Sequence, residues 1–155
     1  MEIKTVPNGG LVAEIELSYK PVMKISTLPR VQSSTDAYRL FLKTWDMRKL
    51  QFVEQFKVML LNRGNRVLGI CTISTGSSTN TIVDPKLIFA VALKANACHI
   101  ILAHNHPSQN LVPSKNDQII TGRLTEAGRL LELTLSDHLI VSDEGYYSFA
   151  DEGAL

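Results

Sequence analysis

The stretch that decides the fold is Ile100-Ile-Leu-Ala-His104-Asn-His106-Pro-Ser-Gln-Asn-Leu-Val-Pro-Ser114-Lys-Asn-Asp117. An apolar run typical of a strand ends there in two histidines that are separated by one residue. Because successive side chains of a strand point to opposite faces, His104 and His106 share one face and Asn105 takes the other. Pro107 has no amide proton to donate and ends the strand. The pattern therefore predicts a strand whose end carries two imidazoles side by side.

A carboxylate joins the two imidazoles. Asp117 comes eleven residues after His106, behind Pro113-Ser114, which is a typical helix start. Two imidazoles and one carboxylate suit zinc, and three protein ligands with a fourth position open are typical of catalytic zinc sites. The run from Cys98 to Ala103 is apolar apart from His99, as expected of a central strand that is covered on both faces. We therefore expect the metal at the C-terminal end of a strand in the middle of the sheet, where ligand sites of α/β sheets are common.

The spacing of these residues resembles a known motif. A His-x-His pair, ten further residues and an aspartate, with a serine three positions before the aspartate, resemble the JAMM motif of the JAB/MPN metallopeptidase-like domains. The segments 102–108 and 137–141, Leu-Ala-His-Asn-His-Pro-Ser and Asp-His-Leu-Ile-Val, resemble the bacterial RadC family within that group. The similarity runs from about residue 27 to 149. It implies a three-layer α/β fold like that of cytidine deaminases, a mixed sheet with helices on both faces.

The same resemblance implies a chemistry. It implies a zinc-dependent metallopeptidase-like hydrolase of amide or isopeptide bonds, with zinc held by His104, His106 and Asp117. It assigns Glu54, two residues before a phenylalanine, as the general acid/base, and the hydroxyl of Ser114 as the group that stabilises the oxyanion of the tetrahedral intermediate. The residues themselves add modest support, because Glu54 is the only carboxylate between Met47 and Val83. Without the resemblance, an exposed glutamate at the end of a strand would be the more ordinary interpretation.

Ser114 has a structural interpretation beside the catalytic one. Serine is a favoured N-cap, and Asp117 at the third helical position completes a pattern like a capping box. The two roles are partly compatible, because the cap holds Asp117 in the first helical turn and aims it at a fixed point. The positive end of the helix dipole also favours the ionised carboxylate there.

Four other polar residues near the motif keep alternative interpretations. His99 lies on the opposite strand face from His104 and reads as a packed or partly exposed histidine. His138 either supports the metal site from behind or is a structural histidine, and the structural role is the more common one. Asn105 and Gln109 are candidates for orienting ligands or contacting substrate.

Local patterns predict the remaining elements. Periodicity, caps and turn residues predict a strand over 11–20, a helix from 33 to about 46, a β-hairpin of strands 55–61 and 66–73, a largely buried helix from 84 to 95, a helix over 115–131, one or two strands within 133–141, and a last strand over 146–149. Residues 8–10 read as a turn or flexible leader, and 24–32 and 74–81 as loops. We divide the chain into an N-terminal leader with an edge strand, 1–25, and a JAB/MPN (RadC-like) domain, 26–155, that function as a single domain.

The composition limits the classes of function. A chain of 155 residues with 45% apolar residues has the size and core of one domain. Its formal net charge of +1 gives no global attraction to nucleic acid or to an anionic membrane. No signal-peptide core and no membrane-length apolar run are found in the sequence, and Cys71 and Cys98 read as small buried hydrophobes of a reducing compartment. We expect a cytoplasmic protein without membrane association.

Three alternatives to hydrolysis remain at this point. A DNA-linked role follows from the DNA-repair label of the family name, but residues 1–25 lack the helix-hairpin-helix region of longer members, and the near-neutral charge weakens the idea. A binding module that keeps the metal without turnover is a second. A zinc deaminase is a third, yet it expects His-x-Glu and a following Pro-Cys-x-x-Cys, whereas position 106 is histidine. The peptide or protein substrate and the oligomeric state are not indicated.

Overall fold

The architecture comes from a computed structural model, which describes residues 2–5, 11–14, 23–78 and 81–155. Its strands are β1 (Glu2–Thr5), β2 (Leu11–Glu14), β3 (Gln55–Leu61), β4 (Val67–Thr75), β5 (His99–Asn105), β6 (Thr134–Val141) and β7 (Tyr146–Ser148). Its α-helices are α1 (Ser34–Thr44), α2 (Met47–Leu50), α3 (Pro85–Lys94) and α4 (Lys115–Leu130), with a 3-10 turn at Ile25–Thr27. β1 and β2 form a separate antiparallel ribbon.

A mixed five-stranded sheet forms the middle layer. Its strand order is β4-β3-β5-β6-β7, so β5 lies at the centre, antiparallel to β3 and parallel to β6. This confirms the prediction that the apolar strand before the two histidines is a central one. The parallel pair of β5 and β6 is connected through α4, as a parallel connection requires a crossover.

The sheet has helices on both faces, which confirms the three-layer α/β prediction. On one face, α1 and α2 contribute Phe41, Trp45 and Leu50 to a core with Met59 and Ile101. On the other face, α3 and α4 pack on alternate residues of the same strands, and this core contains Phe56, Val58, Ile88, Phe89, Leu102 and Leu124. Because successive side chains of a strand point to opposite faces, the strands of this one sheet contribute to both cores. Within the described ranges, no helix combines the length and apolarity that crossing a membrane requires.

Caps and turns lie where the local chemistry predicts them. Ser33, Asp84 and Ser114 each accept a hydrogen bond from a backbone amide in the first turn of the helix that follows. Asn65 in the β3–β4 hairpin and Asn96 after α3 have positive φ angles of 57° and 51°. Asparagine tolerates this left-handed conformation better than most residues, so these turns form at the predicted positions.

Several predictions about packing are wrong. α3 is not buried all round: Leu87 and Leu93 are 52% and 49% exposed, because the helix is an outer layer that meets the sheet on one side. Leu131, the last residue of the helix predicted over 115–131, is the C-cap of α4 and is 43% exposed. Cys71 and Cys98 are free, as expected, but only partly buried.

Element boundaries also differ from the predictions. β1 replaces part of the expected leader, and the short helix α2 is not predicted. The predicted strand over 11–20 is confirmed for 11–14, and its remainder lies outside the described residues, as does the predicted turn at 8–10. The segment 134–141 is one strand, whose register with β5 shifts between Ile100 and Ile101.

Candidate metal centre

The three predicted ligands converge at one end of the central strand. His104 lies near the end of β5, His106 directly follows that strand, and Asp117 lies in the first turn of α4. Their possible ligand atoms all lie within 4.8 Å of one another. His104 Nε2 lies 3.0 Å from His106 Nε2 and 3.2 Å from Asp117 Oδ1, and His106 Nε2 lies 3.5 Å from Asp117 Oδ2. Zinc bonds of about 2.0–2.1 Å place the donor atoms of a tetrahedron about 3.3 Å apart. The separations therefore fit a small metal ion held by three donors.

The proton on His106 supports the same interpretation. Its Nδ1 lies 2.6 Å from the backbone carbonyl oxygen of Asn110. A carbonyl only accepts, so Nδ1 carries the proton and the neutral ring turns the lone pair of Nε2 towards Asp117. A lone pair beside a carboxylate is unfavourable unless a cation lies between them. A metal ion supplies that cation, and a second ring proton does so in its absence.

The electrostatics follow from this arrangement. Burial alone raises the pKa of Asp117, but the neighbouring imidazoles of His104 and His106 and the hydroxyl of Ser114 outweigh it and hold the pKa well below its usual range. The pKa of His106 is raised, first by its hydrogen bond with Asp117, and burial opposes the shift only in part. Asp117 is thus ionised at any ordinary pH, and its carboxylate offers a negative charge to a cation.

Glu54 directly precedes β3, the strand that neighbours β5. In the antiparallel register Phe56 pairs with His104. The same register, continued two residues back along the chain from Phe56, brings Glu54 opposite His106. The backbone of Glu54 also pairs with the segment that follows β4. Its amide donates to Ser77 O, and its carbonyl accepts from Gly76 N. Burial raises the pKa of the half-buried Glu54 carboxyl, while His104 and His106 lower it and Asp117 raises it further. The predicted base therefore shares an electrostatic environment with all three ligands.

Asn105 holds the backbone that carries Glu54. The side chain is wholly buried on the opposite face of β5 from the histidines. Its Oδ1 accepts from Gln55 N at 2.8 Å, and its Nδ2 donates to Val53 O at 2.9 Å and to Leu50 O at 2.7 Å. The residues on either side of Glu54 are thus fastened to the residue between the two histidines. We call this arrangement the Asn105 clamp.

Gln109, the other amide side chain near the motif, donates to backbone carbonyls. Its Nε2 donates to Leu50 O and to His106 O, both at 3.2 Å. Gln109 therefore donates to the backbone beside the site. One of its two acceptors, Leu50 O, also accepts from Asn105.

Ser114 has the helix-capping role that the sequence predicts. The full capping box is present, with Ser114 as N-cap and Asp117 as the third helical residue. The hydroxyl and the amide of Ser114 both donate to Asp117 Oδ2, each at 2.7 Å. These bonds orient the carboxylate whose Oδ1 faces His104. The hydroxyl proton of Ser114 is thus directed at Asp117.

His138 contacts His104 at Nδ1, the ring nitrogen that does not face Asp117. Its Nε2 lies 2.8 Å from His104 Nδ1, and its Nδ1 lies 2.6 Å from Thr121 Oγ1. The ring is fully buried and stacks on Phe149 at 4.9 Å between centroids. Burial lowers the pKa of His138 well below its ordinary value, and the neighbouring His104 adds to that shift, so the ring is neutral. His99, at the start of β5, is partly buried and shares no face with His104, as predicted.

Thr121 is the residue that the sequence analysis misses. It lies four residues after Asp117 in α4, and its hydroxyl donates to Asp117 O at 2.6 Å. The helical spacing is a signal that it shares a face with the ligand. Its contact with His138 has no such signal, because it joins a helix to a strand.

Comparisons with known proteins point to one family. Residues 31–154 match the family model described as "RadC-like JAB domain". A UPF0758 protein of Thermotoga maritima is 35% identical over 99% of this chain and 71% of its own length. UPF0758 proteins of Flavobacterium johnsoniae and Symbiobacterium thermophilum are 38% and 44% identical, over 93% and 66% of this chain. The chain spans 62% and 44% of the length of these last two relatives.

Proposed function

The chain belongs to the family of RadC-like JAB domains, and from that premise we propose that it is a zinc-dependent hydrolase of amide or isopeptide bonds. The observation that carries the proposal is the shared environment of Glu54 and the three donors His104, His106 and Asp117. A metal centre with one carboxylate beside it, outside the ligand set, is what metal-assisted hydrolysis requires.

The donor set favours zinc over harder cations. Two imidazoles and one carboxylate are typical ligands of catalytic zinc, whereas magnesium and calcium prefer oxygen donors. When bound at these three residues, zinc would lower the pKa of a bound water towards about 7 and polarise a substrate carbonyl.

The proposed role of Glu54 is to move one proton. Its carboxylate accepts a proton from the attacking water and returns it to the leaving nitrogen, so the group ends the cycle as it began. Burial, which raises the pKa of Glu54, favours this function because a base near the working pH both accepts and releases the proton readily. The Asn105 clamp holds the backbone on both sides of the base.

Ser114 is proposed to polarise the substrate carbonyl. Its hydroxyl now donates to Asp117, whose Oδ2 also accepts from the amide of Ser114. The carboxylate keeps that second bond if the hydroxyl turns to an oxyanion. Asp117 Oδ2 therefore still has one donor when the hydroxyl bond is lost in the transition state.

A two-step experiment tests the proposal. The purified protein is first analysed for metal, and zinc binding is measured against a chelator of known affinity. Turnover on a panel of peptides and isopeptides is then compared for the native chain, Glu54→Gln and Glu126→Gln, an exposed glutamate of α4 that serves as the control.

Glu54→Gln should keep zinc and lose turnover by at least about 100-fold, the scale of a lost general base, whereas Glu126→Gln should change neither. Retained turnover in Glu54→Gln would remove that residue from the mechanism. A protein that neither contains nor binds zinc would refute the proposal as a whole. A zinc-loaded protein that is inert towards the whole panel would favour a binding module.

A further inference from the structure

We propose that Thr121 and His138 are positioning residues that decide which nitrogen of His104 is free for a metal ion. The two residues form a hydrogen-bonded relay that starts at the backbone carbonyl of Asp117 and ends at His104 Nδ1. We call it the Thr121–His138 relay. Its consequence for zinc rests on the proposed function, but the direction of its hydrogen bonds does not.

The direction of the relay follows from its first acceptor. Asp117 O is a carbonyl oxygen and cannot donate, so the hydroxyl proton of Thr121 must point to it across 2.6 Å. The hydroxyl then has only lone pairs left for His138, and His138 Nδ1 must carry the ring proton. A neutral imidazole has one donor and one acceptor, so His138 Nε2 accepts from His104 Nδ1. His104 Nε2 is left with its lone pair facing Asp117 and His106.

The surroundings of His138 allow no other arrangement of the ring. The residue is 0% exposed, so water cannot replace a partner. Its ring lies parallel to Phe149, with 11° between the planes, and meets Phe56 edge-on with 5.5 Å between centroids. Rotation of the ring would break this packing as well as two hydrogen bonds. The relay is therefore set by the fold and not by solvent.

The ring proton on Nδ1 is fixed by different partners in the two proposed histidine ligands. His106 lies at the strand end, where the nearby carbonyl of Asn110 fixes its proton directly. His104 lies inside the sheet, 1% exposed, where backbone carbonyls are engaged in strand pairing. The side chains of Thr121 and His138 therefore link His104 Nδ1 to a backbone carbonyl and so fix its proton indirectly. That carbonyl belongs to Asp117, so one ligand residue orients another.

Helix α4 offers a matched set of variants for the test. Thr121→Val removes the hydroxyl and keeps the shape, so His138 can reverse its proton and leave His104 with its proton on Nε2, where no metal binds. Thr121→Ser keeps the hydroxyl. Thr125→Val, one turn later, removes an equivalent hydroxyl bond to a helix carbonyl, Thr121 O, outside the relay.

Zinc affinity of the native chain and the three variants is measured by competition with a chelator, and folding is checked by thermal unfolding. Thr121→Val should bind zinc about 10–100-fold more weakly, the usual effect of losing a group that orients a ligand. Thr121→Ser and Thr125→Val should stay close to the native affinity. Equal affinities of folded Thr121→Val and Thr125→Val would overturn the inference.

A second readout needs neither zinc nor a variant that folds well. Nitrogen-15 NMR of the metal-free native chain distinguishes the two tautomers of His138, and the relay requires the Nδ1–H form. A native His138 with its proton on Nε2 would refute the relay even if zinc binding were normal. If the native chain binds no zinc but His138 has the Nδ1–H form, the proposed function fails and the relay stands.

Discussion

The Asn105 clamp predicts that a residue pointing away from the metal is needed to position the base. Asn105→Ala removes one acceptor and two donor bonds, all from a fully buried side chain. Leu50 O keeps a bond from Gln109, but Gln55 N and Val53 O lose the partner that Asn105 provides. An amide or carbonyl left unpaired costs about 1–3 kcal/mol, more for the buried Gln55 and less for the half-exposed Val53. We therefore expect a loss of about 3 kcal/mol in the free energy of unfolding.

The assay compares Asn105→Ala with Gln109→Ala in denaturant unfolding of the metal-free chain. Gln109→Ala removes longer bonds, and Leu50 O still accepts from Asn105, so its loss should stay below about 1 kcal/mol. Hydrogen exchange adds a local measure, because the Gln55 amide should lose its protection in Asn105→Ala. Zinc affinity should not change, since both histidines lie on the other strand face.

Turnover gives the functional consequence. A displacement of the base by about 1 Å can lower the rate about 100-fold. Asn105→Ala should therefore lose turnover while it keeps zinc, and Gln109→Ala should keep both. The reasoning is refuted if the two variants unfold at the same denaturant concentration and the Gln55 amide stays protected.

Four further outcomes can be measured. Ser114→Ala should lower the free energy of unfolding by about 1 kcal/mol through loss of the N-cap, and Ser114→Thr should largely restore it. Burial raises the pKa of Asp137 despite its hydrogen bonds, so the folded chain holds that proton more tightly than the unfolded chain. Relative to Asp137→Asn, the native chain should thus gain stability as pH falls through the raised pKa, and the gain should level off below about 3.9, as denaturant titrations at several pH values would show. Zinc at 100 times its dissociation constant should add about 2.7 kcal/mol to the unfolding free energy, and a chelator should remove it, both visible in thermal unfolding. The DNA-linked alternative predicts binding that strengthens steeply at low salt, and its absence in a titration of salt would end it.

The sequence predicts the features that depend on neighbouring residues. The central strand follows from an apolar run, the helix starts from Ser33, Asp84 and Ser114, and the hairpin from its asparagine and glycine turn. Each of these is decided within a few residues by sterics or by a single hydrogen bond. The proximity of the two histidines is predicted for a related reason, since strand alternation puts His104 and His106 on one face.

Features that depend on distant partners are not predicted. Periodicity identifies an apolar helix at 85–94 but cannot indicate that one side of it meets only solvent, so Leu87 and Leu93 are misjudged. The contact of Thr121 with His138 requires the crossover of α4 and the parallel pairing of β5 with β6. Before that topology is known, a threonine in a helix and a histidine in a strand have no evident relation.

The middle residue of the His-x-His pair is as tightly constrained as the two ligands. Strand alternation sends His104 and His106 to one face for the metal and Asn105 to the other, where the backbone around Glu54 accepts and donates its bonds. The end of β5 thus places His104 and His106 on one face. On the opposite face, Asn105 positions the backbone of the proposed base. A shift of register between β3 and β5 by one residue would turn the Phe56 side chain away from His104 and break the clamp together with the site. The pairing of these two strands is therefore part of the geometry of the proposed site, and the Asn105 clamp adds side-chain bonds to it.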